Sequence, residues 1–344
     1  MNESTAQSLP LRRLGTTDMN ITRVGFGSLA MGGAQWVSGR GEQSENDSIA
    51  SARAAVEAGV NWIDTAPVYG RGLAEKLLGQ VLRDFPEADR PFVFTKAGLG
   101  WNDDAPRSQP TRTGDPDLVR RDVDESLRRL GVERIDLYQM HWPPLDEFTI
   151  EDYWPIFAEL RAAGKVRAIG LSNHDVDELH RAEQIAHVDS MQPPFSALNR
   201  AAAADVIPAS LANGTGVLAY APMESGLLTG AFTPERAASL PETDSRRNSP
   251  DHTGEGLRRN LTVVQALSDI ARQREVSTSA VAVAWALSFD GVTGAIVGAR
   301  TPEQIRDWIA AANLDLSAHE LAAVADAIES SGAGVGPSRP AVIA

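Results

Sequence analysis

The chain has 344 residues, 42% hydrophobic and 23% charged, so it can bury a large core and is not intrinsically disordered. Its 46 acidic residues outnumber the 32 Lys and Arg, and the net charge of −14 disfavours nucleic-acid binding. The absence of cysteine excludes disulfides, thiolate chemistry and cysteine-containing metal sites. We expect a soluble, cytoplasmic protein, because no apolar run approaches the roughly 20 residues of a membrane span and residues 1–10 lack a signal-peptide pattern.

The elements begin with a predicted hairpin. Residues 1–10 form a polar tail, and residues 11–23 contain a Gly-Thr-Thr-Asp turn between two short extended pieces. Short apolar or β-branched runs then predict eight strands, separated by amphipathic stretches with helical spacing. The predicted strands cover residues 24–27, 60–64, 92–96, 135–141, 166–172, 188–192, 216–220 and 295–298.

One helix is defined at both ends by its sequence. Asp115 can cap its start, and Pro116 suits the first helical position, where its missing N–H has no partner. Gly131 supplies the left-handed residue that often ends a helix. An apolar stripe between them is formed by Val119, Val123, Leu127 and Leu130.

Eight strands alternating with helices predict an α/β fold, a (β/α)₈ TIM barrel forming a single domain over residues 1–344. The hairpin would plug the barrel bottom, and the Gly/Pro/Ser-rich residues 330–344 would form a flexible tail. The competing layout is a doubly wound sheet, whose Gly-x-Gly-x-x-Gly turn should follow the first strand. Gly25 and Gly27 stand there, but Ala30 replaces the third glycine.

Two predicted connections are too long for plain loops. They cover residues 98–115, after the third barrel strand, and residues 223–256, after the seventh. Both leave the carboxyl ends of strands, which is the face where barrel enzymes place their chemistry. We expect them to cover a functional site.

Polar residues end nearly every predicted strand, although burying them is costly unless they are paired. In a barrel they converge on one rim. The set comprises Asp64 with Tyr69 five residues on, Lys96, His141, Ser172, Asn173, Gln192 and Tyr220, and the eighth strand runs into Gly298 and Arg300.

These residues lie in motifs that resemble the aldo-keto reductases over about residues 11 to 329. The similar segments read NWIDTAPVYG (61–70), FTK (94–96), DLYQMHWP (136–143), GKVRAIGLSN (164–173), QP (192–193), YAP (220–222) with GLLTG (226–230), and VGARTPEQ (297–304). Within the family the chain is similar to the bacterial branch of aldose and pyridoxal dehydrogenases. The resemblance implies a small-molecule carbonyl or sugar-like substrate.

The resemblance implies a catalytic tetrad of Asp64, Tyr69, Lys96 and His141. Reducing a carbonyl requires a proton on oxygen, and Tyr69 would be the general acid. A free phenol has a pKa of ~10, so we expect the Lys96 ammonium to lower the pKa of Tyr69. Asp64 would keep Lys96 charged, and His141 would orient the carbonyl oxygen. Lys96 with Asp64 is also compatible with a purely structural ion pair.

For the cofactor, the resemblance assigns Ser172, Asn173 and Gln192 to the nicotinamide carboxamide and Tyr220 to stacking on the ring. The predicted contacts to the rest of the nucleotide are Pro222, Ser225, Gly226, Leu228, Gly298, Arg300 and Gln304. A guanidinium at a helix start suits the 2′-phosphate of NADP, so Arg300 favours NADPH.

NAD is the alternative cofactor, because Trp308 stands where relatives carry an adenine-contacting Asn. This indole could stack on adenine or pack against the barrel. The substrate pocket would be lined by Trp36, Trp101 and Trp142, and the acidic surface argues against a highly anionic substrate.

The sequence therefore predicts an NAD(P)H-dependent oxidoreductase that reduces aldehydes and ketones to alcohols. Three alternatives remain open: an NAD-linked dehydrogenase that oxidises an aldose or pyridoxal, a cofactor-binding accessory subunit like those of potassium channels, and a Schiff-base aldolase with Lys96 as nucleophile.

Overall fold

The computed structural model describes residues 8–34, 36–37, 43–105, 107–241 and 244–340. Parts of the two predicted tails, Pro106 in the first long loop and residues 242–243 in the second lie outside the described residues.

Twelve strands are present in the described part of the chain. In chain order they are β1 (Leu11–Arg13), β2 (Asn20–Thr22), β3 (Val24–Gly27), β4 (Trp62–Asp64), β5 (Phe92–Ala97), β6 (Leu99–Gly100), β7 (Thr111–Arg112), β8 (Ile135–Met140), β9 (Val166–Ser172), β10 (Ser190–Gln192), β11 (Gly216–Tyr220) and β12 (Val292–Gly298). Eight of them close into a parallel barrel in the order β3-β4-β5-β8-β9-β10-β11-β12, with β12 paired to β3. The predicted TIM barrel is confirmed.

Helices surround the barrel. In the same described ranges they are α1 (Glu45–Glu57), α2 (Leu73–Arg83), α3 (Pro116–Leu130), α4 (Ile150–Ala162), α5 (Val176–Glu183), α6 (Val206–Asn213), α7 (Pro234–Ala238), α8 (Gly254–Arg274), α9 (Thr278–Leu287), α10 (Pro302–Trp308) and α11 (Ala318–Ser331). None of these helices has both the length and the apolar character needed to cross a bilayer.

The ends of α3 form as its sequence predicts. The Asp115 carboxylate accepts a hydrogen bond from the Asp117 amide, Pro116 occupies the first turn, and Gly131 follows with φ +69°. Each of the eight predicted barrel strands is also present. The largest shifts are at strand starts: β4 and β10 each start two residues later than predicted, at Trp62 and Ser190, and β12 starts three residues earlier, at Val292.

The predicted hairpin exists and closes one end of the barrel. β1 and β2 pair antiparallel, and Leu14, Met19 and Ile21 of this region are fully buried. They pack in one cluster with side chains of the barrel interior, including Trp62 and Phe94. This cluster separates the barrel bottom from the rim where the strands end.

Gly25 has a packing role rather than a nucleotide-binding one. A Cβ at this position would lie 2.2 Å from the indole of Trp62, which fills the barrel interior. Trp62 Nε1 donates to the Thr22 carbonyl oxygen at 2.8 Å, so the ring is fixed from the hairpin side. The Gly25–Gly27 pair therefore belongs to the barrel core, which agrees with rejecting the doubly wound alternative.

Both long connections carry local structure. The one after β5 folds back as the β6–β7 pair, and the one after β11 contains α7 and several 3₁₀ turns. Part of the predicted C-terminal tail is attached to the barrel: Val335 pairs with Asn199, and the Arg200 guanidinium donates to the carbonyl oxygens of Ala333 and Gly336.

The variant Gly25→Ala should lower the free energy of unfolding by about 1–3 kcal/mol, because the added methyl overpacks the barrel against Trp62. Urea denaturation would measure this. Gly298→Ala is the matched control, since its Cβ would meet only the Gly27 carbonyl oxygen at 3.5 Å. Equal stability of the Gly25→Ala variant and the wild type would contradict the packing role.

Candidate active site

A buried ion pair lies at the rim where the strands end. Lys96 Nζ is 2.5 Å from Asp64 Oδ1 and donates to the Thr65 carbonyl oxygen at 2.9 Å. The Lys96 side chain is 0% exposed. Because β4 and β5 are paired neighbours, the register of the barrel brings the two charges together.

Two glutamines hold the other carboxylate oxygen. Gln192 Nε2 donates to Asp64 Oδ2 at 2.9 Å and to Gln139 Oε1 at 3.1 Å, and Gln139 Nε2 lies 3.5 Å from Asp64 Oδ2. Gln192, predicted to contact the cofactor, is thus a partner of Asp64 in this structure. Gln139 was not predicted. Its sequence signal is a polar residue inside an apolar strand, two positions before His141 and hence on the same strand face.

Tyr69 sits beside this pair and is 8% exposed. Lys96 Nζ lies 5.5 Å from the centre of its ring. The His141 imidazole meets the phenol edge-on at 5.8 Å between centroids, and the Trp36 ring lies 5.5 Å away. The structure therefore brings the four predicted tetrad residues together.

Burial controls the protonation of these groups. It raises the pKa of Tyr69 well above 10, and the negative charge of Asp64 raises it further. The expected net lowering of the Tyr69 pKa is not found, because burial and the charge of Asp64 outweigh the ammonium of Lys96, which is itself paired with Asp64. Burial also lowers the pKa of Lys96 despite Asp64, and lowers the pKa of His141 well below 6.5. Tyr69 is therefore a protonated phenol and His141 a neutral imidazole at pH 7.

The predicted carboxamide contacts form a connected group. Asn173 Nδ2 donates to the His141 carbonyl oxygen at 2.9 Å and lies 3.1 Å from Ser172 Oγ. Tyr220 Oη donates to Asn173 Oδ1 at 2.8 Å, and Ser172 Oγ donates to the Gln192 carbonyl oxygen at 3.0 Å. Asn173 has φ +65°, which directs its short side chain into this network. Asn173 Oδ1 retains a second lone pair for a ligand.

A strained turn follows β11. Ala221, Glu224 and Ser225 have φ between 44° and 56°, a conformation that costs non-glycine residues energy and is common at ligand sites. Pro222 and Leu228 are buried beside it, and Gly226 continues it with φ +92°. The strained turn therefore lies where the sequence predicts contacts to the cofactor.

Arg246 in the loop after β11 braces this turn. Its Nη1 donates to the Ser225 carbonyl oxygen at 3.1 Å, and its Nη2 is 2.7 Å from Asp244 Oδ2. Sequence reasoning did not single out Arg246, because this loop has no periodic pattern.

At the end of β12 the exposed Gly298 precedes Arg300. Arg300 Nε donates to Gln43 Oε1 at 2.9 Å, and Gln304 Oε1 accepts from the Arg300 amide at 2.7 Å. Trp308 is 1% exposed and belongs to the main core cluster. Of the two roles predicted for Trp308, the structure shows packing against the barrel. A ring this buried has no open face for adenine.

The predicted substrate tryptophans occupy different settings. Trp36 is buried against Tyr69, whereas Trp101 and Trp142 are half-buried. Trp142 lies under the Arg112 guanidinium, whose carbon is 4.2 Å from the ring centre.

No group of three or more His, Asp or Glu side chains in the described ranges is placed to hold a metal ion.

Asp64→Asn should lower the free energy of unfolding at pH 7 by about 3–5 kcal/mol, because it leaves the Lys96 charge buried without a counterion. The loss should shrink as pH rises towards 10. Without the carboxylate, the pKa of Lys96 in the folded variant falls below its value in the wild type. The unfolded chain then binds more protons than the folded one, so the stability of the variant rises with pH.

Chemical denaturation at pH 7 and pH 9 would test this. The double variant Asp64→Asn/Lys96→Met is the control, and it should recover part of the loss because it removes the unpaired charge. An Asp64→Asn variant as stable as the wild type at pH 7 would contradict the account.

Comparison with known proteins agrees with this geometry. The chain is 32% identical to the NADH-specific methylglyoxal reductase of Escherichia coli (strain K12), with 88% of this chain and 94% of the relative covered. It is 34% identical to the aldo-keto reductase YhdN of Bacillus subtilis (strain 168), with 84% of each covered.

Among solved structures, the glycerol dehydrogenase AKR11B4 from Gluconobacter oxydans superposes with a TM-score of 0.84 at 32% identity, covering 99% of this chain and 100% of that one. The sequence model of the Aldo/keto reductase family matches residues 28–329. The chain therefore belongs to the aldo/keto reductase family and is an oxidoreductase.

Proposed function

We propose that this protein is an NADPH-dependent reductase that converts aldehydes or ketones to alcohols, with Tyr69 as the general acid. The observation that carries the proposal is the position of the Tyr69 phenol, which is buried between His141 and the Lys96–Asp64 pair. In this setting the phenol can donate its proton to the carbonyl oxygen of a bound substrate as a hydride adds to the carbonyl carbon.

The neighbours of Tyr69 have separate roles. His141 is neutral, so its imidazole can donate one hydrogen bond that orients the substrate oxygen without adding a charge. Lys96 places a positive charge beside the phenol, where it stabilises the negative charge that develops as the proton leaves. Asp64 positions that ammonium through their direct contact.

The strand-end residues fit a nicotinamide nucleotide. When bound, this cofactor supplies the hydride for the carbonyl carbon. Asn173 and Ser172 would bind its carboxamide, Tyr220 would stack on its ring, and the strained turn that contains Ser225 would lie against its phosphates. Arg300 would bind the 2′-phosphate, which is the reason for proposing NADPH.

Two features bear on cofactor and direction. Relatives include the NADH-specific E. coli enzyme and an aldo-keto reductase of Schizosaccharomyces pombe named for NADP(+), which is 28% identical over 82% of this chain. The name of the glycerol dehydrogenase relative favours alcohol oxidation as a second candidate. The high pKa of Tyr69 supports reduction, because oxidation would need the phenolate as a base.

Tyr69→Phe should lower the turnover rate at least 100-fold, because it removes the proton donor and leaves the ring packing intact. Cofactor affinity, measured by fluorescence titration, should stay within about threefold of wild type. Tyr138→Phe is the matched control: it also removes a buried hydroxyl, one bound to the Val119 carbonyl oxygen, and should keep full activity. Turnover retained by Tyr69→Phe would contradict the assignment.

Arg300→Ala should weaken NADPH binding about tenfold or more and change NADH binding little, because a charge-assisted contact to the 2′-phosphate contributes about 1.5–3 kcal/mol. Titration with both nucleotides measures the difference. Arg306→Ala, on the exposed side of α10, removes the same charge and should weaken neither. Equal weakening of NADPH and NADH by Arg300→Ala would argue against this role.

A further inference from the structure

Arg112 is positioned rigidly next to the candidate catalytic centre. It lies on β7, paired with Leu99 of β6, three residues after Lys96. Its carbonyl oxygen accepts from the Leu145 amide at 3.2 Å, and the next residue, Thr113, donates to the Gly98 carbonyl oxygen. Backbone contacts on both sides therefore fix where the side chain starts.

The side chain of Arg112 lies over the ring of Trp142, the residue after His141. Both residues, Arg112 and Trp142, are half-buried. Burial lowers the pKa of His141 most, and the charges of Lys96 and Arg112 lower it further. Arg112 also partly offsets the burial that raises the pKa of Tyr220 to about 12. Because Trp142 directly follows His141 in the chain, the guanidinium stacked on its ring lies beside the candidate catalytic centre.

The charge of Arg112 is not neutralised by a neighbour. In the described part of the chain its guanidinium has no ion pair and no hydrogen-bond acceptor, and its contact is the face of Trp142. Most arginines in the same ranges have such partners, for example Arg129 with Glu75 and Arg246 with Asp244. A stacked guanidinium keeps its N–H edge directed outward, ready for a planar oxyanion.

We propose that Arg112 binds a carboxylate of the substrate, so that the protein prefers carbonyl compounds that carry one. The proposal rests on the proposed reductase function and names its substrate class. It reverses the expectation from net charge: the −14 of the whole chain acts at long range and is screened by salt, whereas Arg112 acts in contact at the pocket.

The experiment compares two aldehydes on the same ring, 4-formylbenzoate and its methyl ester, with the wild-type enzyme and NADPH. The ester group withdraws electrons more strongly, so intrinsic reactivity favours the ester. We expect kcat/KM to be higher for the anion by about tenfold or more, the range of a charge-assisted hydrogen bond. High salt should reduce this preference.

Three variants assign the preference. Arg112→Gln should lower kcat/KM for 4-formylbenzoate about 10- to 100-fold, mainly through KM, and change the ester by less than threefold. Arg112→Lys should restore part of the loss, because it restores the charge without the fork. Arg107→Gln, on the same loop and exposed, removes one charge and should change neither substrate.

A wild-type preference for the ester would overturn the proposal. An equal loss for both substrates in Arg112→Gln would also overturn it, and would indicate that Arg112 only packs against Trp142. If neither aldehyde is reduced, the proposed function fails. The anion site is then tested by quenching of tryptophan fluorescence with 4-(hydroxymethyl)benzoate: quenching lost in Arg112→Gln supports it, and no quenching in the wild type overturns it.

Discussion

The ammonium of Lys96 is sealed from water at the mouth of the barrel, and its contact with Asp64 determines how the surrounding groups are arranged. An unpaired charge in this place would be expensive, so the carboxylate must be held in contact with it. Asp64 is held in turn by Gln192, which Gln139 supports. Four strands, β4, β5, β8 and β10, thereby contribute to one buried polar network.

This network explains the protonation state of Tyr69. Because Asp64 already neutralises Lys96, the ammonium does not generate a phenolate, and burial keeps the phenol protonated. In the proposed mechanism, the charge of Lys96, 5.5 Å from the centre of the ring, would stabilise the negative charge that develops on Tyr69 as the proton leaves. A site of this kind is suited to donating a proton. Hydride transfer in the opposite direction would require deprotonation of Tyr69 and would be favoured only at high pH.

Much of the barrel and most of its rim could be predicted from the sequence. The strands are short apolar runs, and the caps Asp115 and Gly131 mark helix ends by local chemistry that needs no tertiary context. The polar residues at the strand ends could also be identified in the sequence as candidate site residues, because burying a polar group costs free energy unless it is paired. Since parallel strands of a barrel end on one face, Asp64, Lys96 and His141 had to meet.

Other properties depend on tertiary contacts that have no local pattern. The sequence predicts Gln192 as a cofactor contact, but its hydrogen bond to Asp64 follows only from the register of β10. Arg112 and Arg246 lie in irregular loops, so only the folded chain shows one on Trp142 and the other on Ser225. The burial of Trp308 and the direction of the Tyr69 pKa likewise follow from packing density rather than residue type.

The most direct test follows NADPH consumption at 340 nm with a reactive aromatic aldehyde between pH 6 and pH 9. The account predicts turnover whose kcat/KM is independent of pH in this window. Tyr69, with its raised pKa, keeps its proton at the alkaline end, and His141, with its lowered pKa, stays neutral at the acidic end. Absence of turnover, or a rate that falls about tenfold per pH unit above pH 7, would contradict a buried, protonated Tyr69 as the proton donor.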